Sequence, residues 1–263
     1  MCPVNGANGK VSEKHTVNLP PTWMRTDAKL PELVHIPAGP FLMGDDYGSR
    51  EARPAHEVMV PDFRISRYPV TTLEYAAYVI AAHRLAPRFW PDPVRWLEQS
   101  NDPVAGVSWR DAQAYCAWLS HQTRHQVRLP TEAEWEKAAT WQAASGDKRI
   151  YPWGNEFDPA YTNTVESLIG AMTPVDMYRV VGDSAYGVSD LFGNVAEWTL
   201  ARYLPYPYSE RDGRHDLNLM GYRAVRGGSY QSEGRWMSAL HRQYFSPDES
   251  RYPVGFRIVV QID

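Results

Sequence analysis

An α+β fold rich in irregular loop is what this 263-residue sequence predicts, and three observations carry it. Strand-like runs bounded by Pro and Gly lie towards both ends of the chain. Three capped, amphipathic segments fall between about residues 71 and 140. Aromatics make up 13% of the residues, and many of the 10 Trp and 16 Tyr sit among Pro and Gly rather than in helical stripes. Large flat side chains of that kind fill a core between loops.

Residues Met1 to about Lys29 are polar and show no period, which predicts a tail or arm over 1–31 and one domain over 32–263. From Glu32, ELVHIPAGPFLMG predicts two short strands forming a hairpin, followed by a polar loop from Gly44 to Val58 and a strand pattern to Tyr68. Thr71 and Thr72 are placed to cap a helix from Leu73 to His83, with Glu74 in its first turn. Ser108 with Asp111 three residues on, and Thr131 with Glu134, are the start signals of two further helices. Cys116 falls on the apolar face of the first of these and is expected to be a buried small hydrophobe. Glu132, Glu134 and Glu136 are expected to serve capping and surface roles. The last forty residues predict strands at AVRGGSY and VGFRIVV.

Composition narrows the function. A net charge of −4 supplies no field that would draw the protein to nucleic acid. No run reaches 18 apolar residues, so no membrane span is expected. The N-terminus shows no basic and apolar leader, and a cytoplasmic location is the default expectation. Cys2 and Cys116 are the only cysteines, too few for a disulfide framework or a Cys-rich zinc site. His121 and His125 are four apart but lack a third ligand nearby and are expected at the surface. His35, His56, His83, His215 and His241 form no spaced cluster, and no nucleophile elbow or phosphate loop stands out.

Two stretches organise the rest. Gly187 to Thr199, GVSDLFGNVAEWT, sets glycines beside oxygen-bearing Asp190, Asn194 and Glu197, the composition of a calcium loop. Ala224 to Arg242 puts Gly227-Gly228 before a polar and aromatic run. Across 222–257, Arg alternates with Tyr and Trp, the types that dominate binding hot spots. Arg226, Arg242 and Arg257 are expected to be internal, pinning loops. Tyr230, Gln231, Ser232, Glu233, Arg235, Trp236 and Ser238 are the expected ligand-binding residues, with Gly234 and Tyr203–Tyr208 as adjacent rim.

Taken in order, FLMG, PVTTLEYAAYV, PVAGVSWRDAQAYCAWLS, RLPTEAEWEKAA, YPWGNEFDP, GVSDLFGNVAEWT, AVRGGSY and GFRIVV resemble the sulfatase-modifying factor family, typified by the formylglycine-generating enzyme. The resemblance covers about Glu32 to Val260 and implies a C-type-lectin-like fold: a twisted antiparallel sheet, two or three helices and long loops. Relatives include formylglycine-forming oxidases, iron-dependent sulfoxide synthases, maturation factors and the variable proteins of diversity-generating retroelements.

The resemblance also implies site residues. The oxidases carry two cysteines just after the GGSY turn that hold copper. The matching positions here are Ser232 and Met237. A hydroxyl and one thioether do not replace soft thiolates for copper(I). The sulfoxide synthases hold iron largely through an additional N-terminal helical bundle, for which a core starting near Glu32 leaves no room. No copper or iron is therefore expected, and no catalytic residue is assigned. Structural Ca²⁺ is implied at Asp190, the carbonyls of Gly193 and Val195, and Glu197. A second calcium loop would begin near Asn163-Thr164, but its downstream Asp-Gly-aromatic partner is missing. The resulting expectation is a non-catalytic binder of a protein or small-molecule ligand, perched on the 222–257 region, with a retroelement variable protein as one form of it. The alternative is an oxygen- or metal-dependent modifying enzyme using other ligands.

Overall fold

A computed structural model describes residues 28–90 and 101–261, so the expected tail lies almost wholly outside the described residues. The chain builds two four-stranded sheets. One has the order β1 (Leu33–Ile36), β4 (Phe63–Ser66), β12 (Val259–Val260), β5 (Val127–Arg128). The other runs β10 (Arg242–Phe245), β9 (Arg223–Arg226), β8 (Ala196–Arg202), β11 (Val254–Phe256). Two-stranded ladders join β2 (Gly39–Met43) to β3 (His56–Val60), and β6 (Trp141–Gln142) to β7 (Asp147–Lys148). Pairing is antiparallel apart from β8 with β11.

The predicted hairpin is not formed as expected. The ELVH strand pairs with Phe63–Ser66, and GPFLM pairs with His56–Val60, a strand that starts two residues inside the stretch that reads as loop and runs on into the expected strand pattern. The reason is the core: Val34 and Ile36 from β1, and Phe41 and Met43 from β2, enter one apolar cluster from two different sheets. The Pro37-Ala38-Gly39 link hands the chain from one to the other.

The helix expectations fare better because their signals are local. Helix α1 is Thr72–Ala81, α2 is Trp109–Thr123 and α3 is Glu132–Thr140, each opened by a reciprocal capping box at Thr71, Ser108 and Thr131. Helices α1 and α2 bring Tyr75, Tyr78 and Tyr115 together against Phe256, and Cys116 is buried there. Burial pushes the Cys116 thiol up, away from the reactive thiolate.

Helix α3 corrects the reading of its glutamates. All nine of its residues are buried, against β2, β3, β8 and β9. Glu134 caps the helix and pairs with Arg128 at 2.6 Å, but Glu132 and Glu136 are both 0% exposed. Nothing within EAEWEKAAT marks those two for the interior. Their arginine partners, Arg226 and Arg242, arrive from 90 or more residues away.

Candidate functional site

The two organising stretches meet in space. Gly193 N–H donates to Gly227 O at 2.9 Å, and Tyr230 N–H donates to Asn194 O at 3.0 Å. Gly193 has φ +83, and a Cβ there would stand 2.3 Å from Thr162 Oγ1, so only glycine fits. Asp190 and Asn194 also take left-handed φ, conformations that Asn and Asp tolerate better than other side chains. Asn194 explains why the loop holds: its amide accepts from Thr173 N–H at 2.9 Å and donates to Thr173 O and to Asp190 Oδ2, each at 2.9 Å. Asn163, where a second calcium loop would begin, accepts Asn194 N–H at 2.7 Å through its carbonyl.

Beneath that loop, Arg257 forks onto Glu197, Nε to Oε2 and Nη2 to Oε1, both at 2.7 Å. The Trp135 indole donates to the same Oε2 at 2.8 Å. Arg257 also reaches the carbonyls of Ser66, Arg67, Ser189 and Asp190. Burial pushes the Asp190 carboxyl up to about 7, with Asn194 and Arg257 opposing and Glu197 adding to the rise.

The GGSY turn opens into a cleft of about 570 Å³ between Ser229 and Val254, a volume suited to a small ligand or a peptide segment. Of the predicted residues, Gln231 and Ser232 line it, and Tyr203 from the predicted rim does too. Tyr230 is half-buried with its ring edge-on to Tyr252 at 6.5 Å. Glu233, Arg235 and Trp236 stay out of the lining, on an exposed turn where Trp236 is 84% accessible. Glu166 holds that turn, accepting Gly234 and Arg235 N–H at 3.0 and 3.1 Å. Ser238 accepts Leu240 N–H at 3.2 Å. Tyr206 and Tyr208, expected at the rim, are buried: Tyr206 hydrogen-bonds Glu136 and Arg226, and Tyr208 bonds Glu210 and His215. His121 and His125 are exposed, as expected.

Ser232 and Met237 lie together over Gly228. A Cβ built on Gly228 (φ +67) would be 3.1 Å from both Ser232 Oγ and Met237 Cε. The Ser232 hydroxyl accepts Ser229 N–H at 3.0 Å, so it closes the turn. Sequence reading passed over Glu51, Ser229, His241 and Gln243, which also line the cleft. Glu51 comes from the polar loop before β3, with no local signal linking it to residues 180 positions on. His241 is held below the usual histidine range by burial and by Arg226.

Arg226, Arg242 and Arg257 are internal, as expected. Arg226 spans Glu132 at 3.0 Å and Glu136 at 2.7 Å, and Arg242 clasps Glu132 at 2.6 and 2.9 Å. Burial alone would raise the Glu136 carboxyl, but Lys148 and Arg226 hold it at about 2.

Fold and cleft together define a lectin-like α+β protein with an aromatic and polar groove beside a buried loop. The chain belongs to the sulfatase-modifying factor enzyme 1-like family, whose model matches residues 20–262. It is 33% identical to the hercynine oxygenase of Mycolicibacterium smegmatis over 260 residues, 81% of this chain and 59% of that protein. The chain thus spans about three fifths of that relative's length. It is also 33% identical to the inactive C-alpha-formylglycine-generating enzyme 2 of Mus musculus over 290 residues, 88% of this chain and 86% of that one. The solved variable protein 1 of Treponema denticola superposes with a TM-score of 0.70 at 20% identity, over 88% of this chain and 95% of that one, which shows a shared fold.

Proposed function

We propose that this chain is a binding member of the family, taking a protein or small-molecule ligand in the Ser229–Val254 cleft. The observation that carries the reading is the convergence of Ser232 and Met237 over Gly228. The two positions the resemblance assigns to copper-holding cysteines do lie side by side, yet they offer a turn-closing hydroxyl and a thioether. Such a pair is a poor copper(I) site. Similarity across most of both chains to a relative named as inactive supports the same reading. A diversified variable protein is one form of it, and sequencing the last hundred or so codons in sister isolates would separate that form from a constant binder.

The test uses the same geometry. The Ser232→Cys/Met237→Cys double variant should acquire copper(I), read by competition with a chromogenic chelator, while the parent protein competes at least tenfold less well. The parent should also consume no oxygen with a cysteine-containing peptide. Stoichiometric copper or iron on the parent, or oxygen uptake, would overturn the reading in favour of a modifying enzyme. The 33% identity to an enzyme named hercynine oxygenase makes that the alternative to exclude.

The same reading includes a structural Ca²⁺ held by Asp190, the Gly193 and Val195 carbonyls and Glu197. Hard oxygens on two buried carboxylates that face a single buried guanidinium support it, and an ion there would share Glu197 with Arg257 and Trp135. The ion would supply charge and rigidity to the loop that holds the GGSY turn.

A further inference from the structure

Among the described residues, Arg214, Arg223, Arg226, Arg242 and Arg257 are buried. Four of them have a carboxylate in ion-pair contact: Asp212, Glu132 with Glu136, Glu132, and Glu197. Arg223 has none among the described residues. Its Nη atoms donate to the carbonyls of Leu200, Asp216, Leu217 and Leu219 at 3.2–3.4 Å, and its Nε has no partner. Leaving a buried cation without an anion is costly, and the other four sites avoid it.

Arg223 lines a cavity of about 520 Å³ separate from the Ser229–Val254 cleft. Its guanidinium lies 4.0 Å over the Trp109 ring. Trp109 and Arg110 are the first two residues of α2, whose N-terminus is already capped by Ser108 and Asp111, and Arg110 pairs with Asp248, which also lines the cavity. Burial, with Arg202 and Arg110 nearby and Asp216 opposing from beyond ion-pair distance, pulls the Arg223 guanidinium down to about 10. Across the mouth, Leu217, Leu219, Met220 and Tyr222 are exposed, and Met220 is 90% accessible. An aromatic-floored wall carrying one buried guanidinium without a carboxylate partner, facing an apolar rim, has the chemistry to hold an anion with an apolar body.

We propose that this cavity binds a carboxylate attached to an apolar group, the carboxylate towards Arg223 and the apolar part against Leu219 and Met220. Free organic acids and the C-terminus of a peptide share that chemistry. The proposal stands independently of what the other cleft binds.

The probes are hexanoate against hexanamide, and Ala-Ala-Leu with a free C-terminus against its C-terminal amide, titrated by ligand-observed NMR. Each acid should bind roughly tenfold or more tightly than its amide, since a hydrogen bond to a charged group is worth more than a neutral one. The tighter acid identifies the source. Met220→Asp, at an exposed rim position, should abolish acid binding and leave the melting temperature unchanged. Arg223→Gln should do the same to binding in whatever fraction folds. Equal binding of acid and amide, absence of binding by both acids, or unaltered binding to Met220→Asp would overturn the proposal, leaving Arg223 as a clasp for the 216–219 loop.

Discussion

The buried charge under α3 and the buried charge under the Gly187–Thr199 loop are built from the same residue types but balanced differently. Under α3, Glu132 and Glu136 meet Arg226, Arg242 and Lys148: two negative groups against three positive. Under the loop, Asp190 and Glu197 meet Arg257: two against one. The consequence is visible in the carboxylates. Glu136 is held at about 2, while Asp190 is pushed up to about 7. Burial opposes ionisation at both, so what differs is the number of cations supplied. The first region closes on itself. The second sets one guanidinium against its two carboxylates, and the proposed calcium would supply the further positive charge.

The largest effect is expected from breaking the closed network. Glu136→Ala strands one arm of the buried Arg226, takes the carboxylate from the partly buried Lys148, and removes the acceptor of Gly44 N–H. Losing one partner of a buried pair costs about 3–5 kcal/mol, to be read from urea unfolding. A loss below about 1 kcal/mol would show that water reaches the site and that the network is not closed.

The open region is predicted to respond to calcium instead. A metal binding only the folded state stabilises it by about 2.7 kcal/mol at a hundredfold excess over Kd. Melting of the parent should rise with added calcium and fall with chelator. Glu197→Ala should melt lower and lose that response, whereas Glu136→Ala should keep it. Identical parent melting curves with calcium and with chelator would mean that Arg257 alone serves the loop.

The smallest effect concerns His241, which lies at the edge of the closed network beside Arg226. Its folded-state value is lowered, so below the ordinary histidine value near 6.5 the unfolded chain binds the proton more readily. Stability from this group is therefore present above about pH 6.5 and falls as pH drops through that value. His241→Asn should flatten the stability profile between about pH 6.5 and 5. An unchanged slope would mean that Arg226 is too well neutralised by its glutamates to act on the imidazole.

Much of the architecture was legible because its signals are local. Thr71, Ser108 and Thr131 each carry their capping partner three residues away, and all three helices begin where those residues place them. The Gly-rich loops were legible for the same reason, since a position such as Gly193 tolerates no side chain. The binding cleft was only partly so. Gln231 and Ser232 follow the GGSY turn and line it, but Trp236 points away to solvent because Glu166, from a loop nearly seventy residues earlier, anchors its turn.

By itself, then, the sequence determined the helices, the tight turns, the family and the absence of a cysteine pair at Ser232 and Met237. Only the tertiary structure decided which charged groups are interior and how their charges sum. Glu132 and Glu134 are two residues apart and share a composition that reads as surface. One is clasped by arginines from β9 and β10, and the other caps a helix and meets Arg128. Burial of a charge depends on partners brought from distant parts of the chain, and no local pattern encodes their arrival.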